Sequence, residues 1–366
     1  MSAHQPPPSL ADLLLRRINK TGPMTLSEFM GDCLLHPVHG YYATRNPFGQ
    51  EGDFITAPEI SQMFGEMLGL FMAQVWMDQG RPAPFTLAEL GPGRGTLMAD
   101  MLRATAAVPG FHAALDLHLV EASPVLRKAQ RDRLAPAAIT HHDVTQTLPD
   151  QPLFLIANEF YDALPIRQFI REGKMWREHQ VGEENGTLRM GLTAPLPQAM
   201  LDHRLDDTRD GDLVEICPAL GPITEEIATR INTYGGVALV IDYGDWRSLG
   251  DTLQALSAHQ TVGLLEAPGA ADLTAHVDFE RIAHFAAPLT HSLLTPQGVF
   301  LERLGITERA QALAEKMQGQ ALESHISAHR RLTHPDEMGT LFKVLGLTRP
   351  GAPALPGLET APAGPR

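Results

Sequence analysis

Apolar residues recur at two different periods along this chain, and the change of period divides it. In residues 9–35 and 57–79 they return every three or four positions; the second stretch carries Met63, Phe64, Met67, Leu68, Phe71, Met72 and Val75. That spacing gathers one face of a helix, so both stretches are predicted helical, with the stripe packed into a core. From residue 85 the pattern changes to short apolar runs at 85–90, 115–121, about 138–142, 153–157 and 236–242, with helical stretches between the first four. Such alternation predicts an α/β fold with a parallel sheet covered by helices. Ser123 and Pro124 suit the cap and first turn of the helix after the second run.

The fourth and fifth runs are about eighty residues apart, too far for one connection in such a sheet. Within that gap, 167–192 alternates like antiparallel strands, with turn signals at Glu172-Gly173 and Asn185-Gly186. The expected organisation is an N-terminal helical region with a lid loop (1–80) and the first half of the sheet domain (81–159). An inserted α+β subdomain shaping a substrate site (160–234) and the rest of the sheet domain (235–345) follow. Residues 289–304 read as a terminal strand pair, and 346–366, rich in Pro, Gly and Ala, as a disordered tail.

Composition narrows the setting. Hydrophobic content of 43% and charged content of 20% are ordinary for a globular protein. No apolar run approaches the roughly 18 residues of a membrane span. The first residues lack the pattern of a signal or transit peptide, and only Cys33 and Cys217 are present, which points to a reducing compartment and a cytoplasmic location. A net charge of −14 argues against nucleic acid and favours a basic protein partner.

The strongest chemical signal is Glu89-Leu90-Gly91-Pro92-Gly93-Arg94-Gly95, a glycine turn between the first strand and a helix beginning near Thr96. Glycines let backbone approach a ligand, and a helix start offers unpaired N–H groups. A P-loop needs a lysine that is missing here, and a dinucleotide fingerprint needs glycine where Thr96 stands. Glu89 would repel a pyrophosphate but suits S-adenosylmethionine (SAM), which carries an ammonium and a sulfonium. Glu121, at the end of the second strand, is placed for ribose hydroxyls; Asp143, with Val144 beside it, is placed for adenine. Asn158 and Glu159 end the fourth strand near the expected methyl, where a carboxylate could hold a guanidinium or accept its proton. Alternatively, Glu159 caps a helix together with Asp162. The histidine groups His36/His39 and His141/His142 lack metal-site spacing, so no metal is expected.

Six segments resemble the MidA family of SAM-dependent methyltransferases: GDFITAPEISQMFGE (52–66), ELGPGRGTLMADMLR (89–103), LHLVEASPVLRKAQ (117–130), ANEFYDALPIRQF (157–169), GGVALVIDYG (235–244) and PGAADLTAHVDF (268–279). The family includes a mitochondrial complex I assembly factor that methylates a protein arginine. The resemblance implies a class I methyltransferase sheet with an N-terminal helical extension and an insertion. It also implies a protein substrate, the 49-kDa-type subunit of NADH dehydrogenase. Its glycine loop falls on Gly91, Gly93 and Gly95, and its ribose acid on Glu121. Its GDFxTxPExS segment supplies a lid carrying Asp53, Thr56, Pro58, Glu59 and Ser61. A SAM-binding assembly chaperone without turnover and a methyltransferase for another acceptor stay open as alternatives.

Overall fold

The computed structural model describes residues 8–44, 56–257 and 260–362. Contacts divide the chain into two units. The larger comprises the described parts of Phe48–Asp162, Leu220–Arg247 and Val277–Arg366, and the smaller those of Met1–Pro47, Ala163–Ala219 and Ser248–His276.

Six strands carry the larger unit: β1 (Phe85–Leu90), β2 (Leu115–Val120), β3 (Ile139–His142), β4 (Leu153–Asn158), β5 (Gly236–Asp245) and β6 (Phe342–Thr348). They lie in the order β3-β2-β1-β4-β5-β6, the first five parallel and β6 antiparallel to β5. β1 and β4 are buried at every position. A central strand covered on both faces has no solvent side to make polar, which is why both read as continuous apolar runs. The order reverses between β1 and β4, where an open parallel sheet leaves a crevice beyond its carboxyl ends. Register keeps those ends level: Leu90 lies opposite both Val120 and Ala157, Val120 opposite His142, and Asn158 opposite Ile241. Gly91, Glu121, Asn158, Asp143 and Asp242 therefore emerge along one rim.

Five helices of this unit matter to that rim: α1 (Ala57–Ile60), α2 (Gln62–Asp78), α3 (Thr96–Thr105), α4 (Pro124–Leu134) and α5 (Leu220–Tyr234). The stripe of α2 joins Phe85, Leu87, Phe154 and Ile156 in one core. Phe85 packs against Phe154 and Phe111 at 5.0 and 5.1 Å between ring centres. Each such ring contributes about 1.5–3 kcal/mol by leaving water.

Several expectations are corrected. The stretch 57–79 is two helices, because Ser61 takes an extended φ of −159° and its hydroxyl accepts from Met63 N at 3.2 Å, restarting the helix as α2. Residues 9–35 likewise form helices Leu10–Thr21 and Leu26–Leu35. Gly22 (φ 88°) ends the first, and Thr25 caps the second through a reciprocal bond with Glu28. Region 289–304 holds only the two-residue strands Thr290–His291 and Thr295–Pro296 before helix Gln297–Arg303. Both strands pair with β6 at the edge of the sheet, and β6 is its last long strand, so 346–366 is not wholly a tail. Beyond Thr348 the chain buries Leu355 and Leu358, and Leu293 N donates to Glu359 O at 2.7 Å. The insertion is also drawn differently: α5 belongs with the larger unit, whereas 248–276 joins the smaller one.

The smaller unit packs its two N-terminal helices with an antiparallel sheet of Met24–Thr25, Arg167–Glu172, Met175–Glu184, Thr187–Leu192 and Leu213–Ile216. The turns at Gly173 and at Asn185-Gly186 take the left-handed conformation that such hairpins require. No helix among the described residues is long and apolar enough to cross a membrane.

Candidate active site

The turn after β1 takes left-handed angles at Gly91, Gly93 and Gly95, with φ of 58°, 51° and 77°. A side chain is strained there, and at Gly91 a Cβ would also stand 3.0 Å from Phe160 Cδ2. Pro92 is buried, and its carbonyl accepts from Gly95 N at 2.8 Å, closing the turn just before Thr96 opens α3. Glu89 is buried, and its Oε2 has no hydrogen-bond partner among the described residues. Burial, and then the negative Glu121, push the Glu89 carboxyl up to about 8. A buried oxygen without a donor is costly. A cation beside it would supply the missing interaction and restore the ionised form.

At the end of β2, Glu121 Oε1 accepts from Ser123 N at 2.8 Å and Oε2 from Gln130 Nε2 at 3.2 Å. Burial holds this carboxyl above its usual range despite those donors. After β3, Asp143 is exposed and pairs with Arg127 Nη2 at 2.5 Å, and Val144 beside it is also exposed. Arg127 further donates through Nε to Glu121 O at 2.7 Å and through Nη2 to His142 O at 2.9 Å.

The turn after β4 is built from acids. Asn158 is buried, with Oδ1 unpartnered among the described residues. Glu159 has a left-handed φ of 51°. Its Oε1 accepts from Ala57 N and Asn158 Nδ2, both at 3.1 Å. Burial, and then Asp162, push its carboxyl up to about 7. No helix starts at 160, so the cap shared with Asp162 does not form; Glu159 instead meets the first N–H of α1. Behind it, fully buried Asp242 accepts through Oδ2 from Phe160 N, Tyr161 N and Asp162 N at 3.2, 3.0 and 3.3 Å, and through Oδ1 from Tyr243 N at 2.9 Å. One carboxylate thus folds the whole turn. Burial and the neighbouring Asp162 and Glu159 hold it well above the ordinary aspartate value. Asp242 was open to detection, since it ends an apolar run just as Glu89 does.

Of the lid residues, Asp53 lies outside the described residues. Thr56 precedes α1 without a side-chain cap bond, Pro58 sits in its first turn, and Ser61 ends it. Glu59 accepts from Thr96 Oγ1 at 2.5 Å and forms an ion pair with Arg94. Burial alone would raise its carboxyl, yet the bonds from Arg94 and Thr96 hold it below the usual range. The four residues of α1 therefore touch both turns, Glu59 the one after β1 and Ala57 the one after β4.

The glycine turn, the Glu89 oxygen without a partner among the described residues and the Glu121 carboxylate lie at the sheet's reversal point. They fit a ligand with a cationic end and a ribose and no phosphate, which is the chemistry of SAM. Fold and site together define a class I SAM-dependent methyltransferase. A family model of S-adenosyl-L-methionine-dependent methyltransferases matches residues 67–296, and the chain belongs to this family. Among its relatives is the Xenopus tropicalis protein arginine methyltransferase NDUFAF7, mitochondrial, 37% identical, with 92% of this chain and 84% of that protein covered. The human protein of that name is 36% identical, with 91% and 82% covered. A crystal structure from Burkholderia thailandensis bound to S-adenosyl-homocysteine superposes with a TM-score of 0.82 at 29% identity, covering 95% of this chain and 94% of that one.

Proposed function

We propose that this methyltransferase modifies an arginine of a protein, and that the acceptor is the 49-kDa-type subunit of NADH dehydrogenase during assembly of respiratory complex I. The observation that carries the acceptor chemistry is the Asn158-Glu159 pair at the rim. Among the described residues Asn158 Oδ1 has no partner, and only one Glu159 oxygen is engaged. Two acceptors side by side suit the fork of donors on a guanidinium. Relatives named protein arginine methyltransferase support the same class. The subunit itself rests on the family resemblance, and the net charge of −14 favours a basic partner. Two cysteines in the whole chain suit work in the cytoplasm.

Bound SAM supplies a methyl already activated by its sulfonium, so no protein nucleophile is required. The residues have to orient the acceptor nitrogen and take the proton it loses as the N–C bond forms. Glu159, held near 7, is matched to that proton at neutral pH. Incubation with labelled SAM and purified NADH dehydrogenase subunits tests the reading. Label on an arginine of the 49-kDa-type subunit is expected, lost with Glu159→Gln. Label on lysine, on RNA or on no subunit overturns it.

A further inference from the structure

The helix after β2 sends two side chains, one turn apart, back onto the rim. Arg127 holds backbone and the exposed Asp143. Gln130 does something more specific. It is fully buried in the middle of α4, a place where an amide is costly unless all its bonds are made. Its Nε2 donates to Gly93 O at 2.7 Å, inside the glycine turn, and to Glu121 Oε2 at 3.2 Å. Its Oε1 faces His141 Nε2 at 2.8 Å. Two acceptors on one side fix which end is the amide nitrogen. The remaining oxygen then requires His141 to carry its proton on Nε2.

We infer that Gln130, locked by His141, is a positioning residue that sets the Glu121 carboxylate for the two hydroxyls of the SAM ribose. Ser123 N occupies one lone pair of Glu121 Oε1 and Gln130 one of Oε2. The Ala122 backbone is a third donor to this carboxylate, and its two oxygens, fixed on one planar group, match a cis-diol. Gln130 also ties that carboxylate to the Gly93 carbonyl, so the ribose acceptor and the glycine turn move as one. The inference rests on the reading of Glu121 as the ribose acid.

Ligand discrimination tests it. Titration calorimetry would compare S-adenosylhomocysteine with its 2′-deoxy analogue on the full chain. For the wild type, losing one hydroxyl is expected to cost about tenfold or more in affinity, as for a ligand group that leaves a buried charged acceptor unpaired. In Gln130→Met, which preserves volume but not the donors, the ratio is expected to fall below about threefold, because an untethered carboxylate no longer selects for the diol. His141→Phe, at a half-buried position, should lower the ratio by a smaller factor and serves if Gln130→Met does not fold. Gln130 acting only in packing would weaken both ligands in parallel and leave the ratio at the wild-type value, which overturns the inference. A wild type that binds both ligands equally overturns the reading of Glu121 itself, a result distinct from the first.

Discussion

The turns after β1 and β4 stand side by side on the rim, each with an acid whose carboxyl is driven upward by burial, yet they are made in opposite ways. The first is shaped by glycines and leaves Glu89 Oε2 without a partner. The second bends at a non-glycine residue, Glu159, and is held by three of its N–H groups donating to Asp242. The difference separates two tasks. An acid with an oxygen that no described residue engages suits a cation that arrives from outside. An acid that already accepts from Ala57 and Asn158 has a fixed direction, as a group that must receive a proton at a given place needs.

The contrast breaks most severely at Asp242. Asp242→Ala strands four N–H groups and should destabilise the fold by about 3–5 kcal/mol, read by urea unfolding. A loss under about 1 kcal/mol would mean the second turn holds itself.

Glu89→Gln keeps the shape and removes the charge. Affinity for SAM should fall about a hundredfold, whereas stability at neutral pH should not fall, because the neutral amide escapes the cost of burying a charge. In the wild type the folded carboxyl near 8 lies above its usual 4.5, so the folded state holds the extra proton between those values. Its contribution to stability is complete below about 4.5 and is lost as pH rises through about 8, with a slope of up to about 1.4 kcal/mol per pH unit. SAM binding, which needs the ionised form, should tighten over the same rise, and both trends should flatten in Glu89→Gln.

Glu159→Gln can still accept from Ala57 N, so the second turn should stay folded and SAM affinity should remain within about threefold. Turnover should drop by about tenfold or more, with kcat losing its rise near pH 7. Equal losses in binding and turnover would erase the distinction between the turns. The smallest effect is expected at Glu59→Gln, which weakens the tie to Arg94 and Thr96 by about 1 kcal/mol and should raise the KM for SAM a few-fold.

Much of this was legible in the chain because the sheet is covered on both faces. β1, β4 and β5 could only be long apolar runs, and an acid at the end of each stands out. The glycine turn was equally plain, since glycine is the residue that takes its angles without strain. β6 was not legible, because Lys343 and Gly346 interrupt its apolar residues and its partner lies about a hundred residues away in sequence. Gly346 also explains the tail: it leaves the space where Leu355 packs, since a Cβ there would stand 2.5 Å from Leu355 Cδ1. Asp242 stood out by position, but its role, like that of Gln130, did not, for a related reason. Their identities are in the sequence, but their meaning lies in backbone groups many residues away.

The four residues of α1 have a consequence of their own. Anchored by Glu59 to one turn and by Ala57 to the other, they would, on the proposed reading of the two turns, make cofactor and acceptor share a single strut. A substrate cation that draws the Glu159 carboxylate toward itself loosens one end, and a cofactor that settles the glycine turn tightens the other. Thermodynamic linkage then makes the exchange mutual: whatever factor SAM imposes on acceptor affinity, the acceptor imposes on SAM.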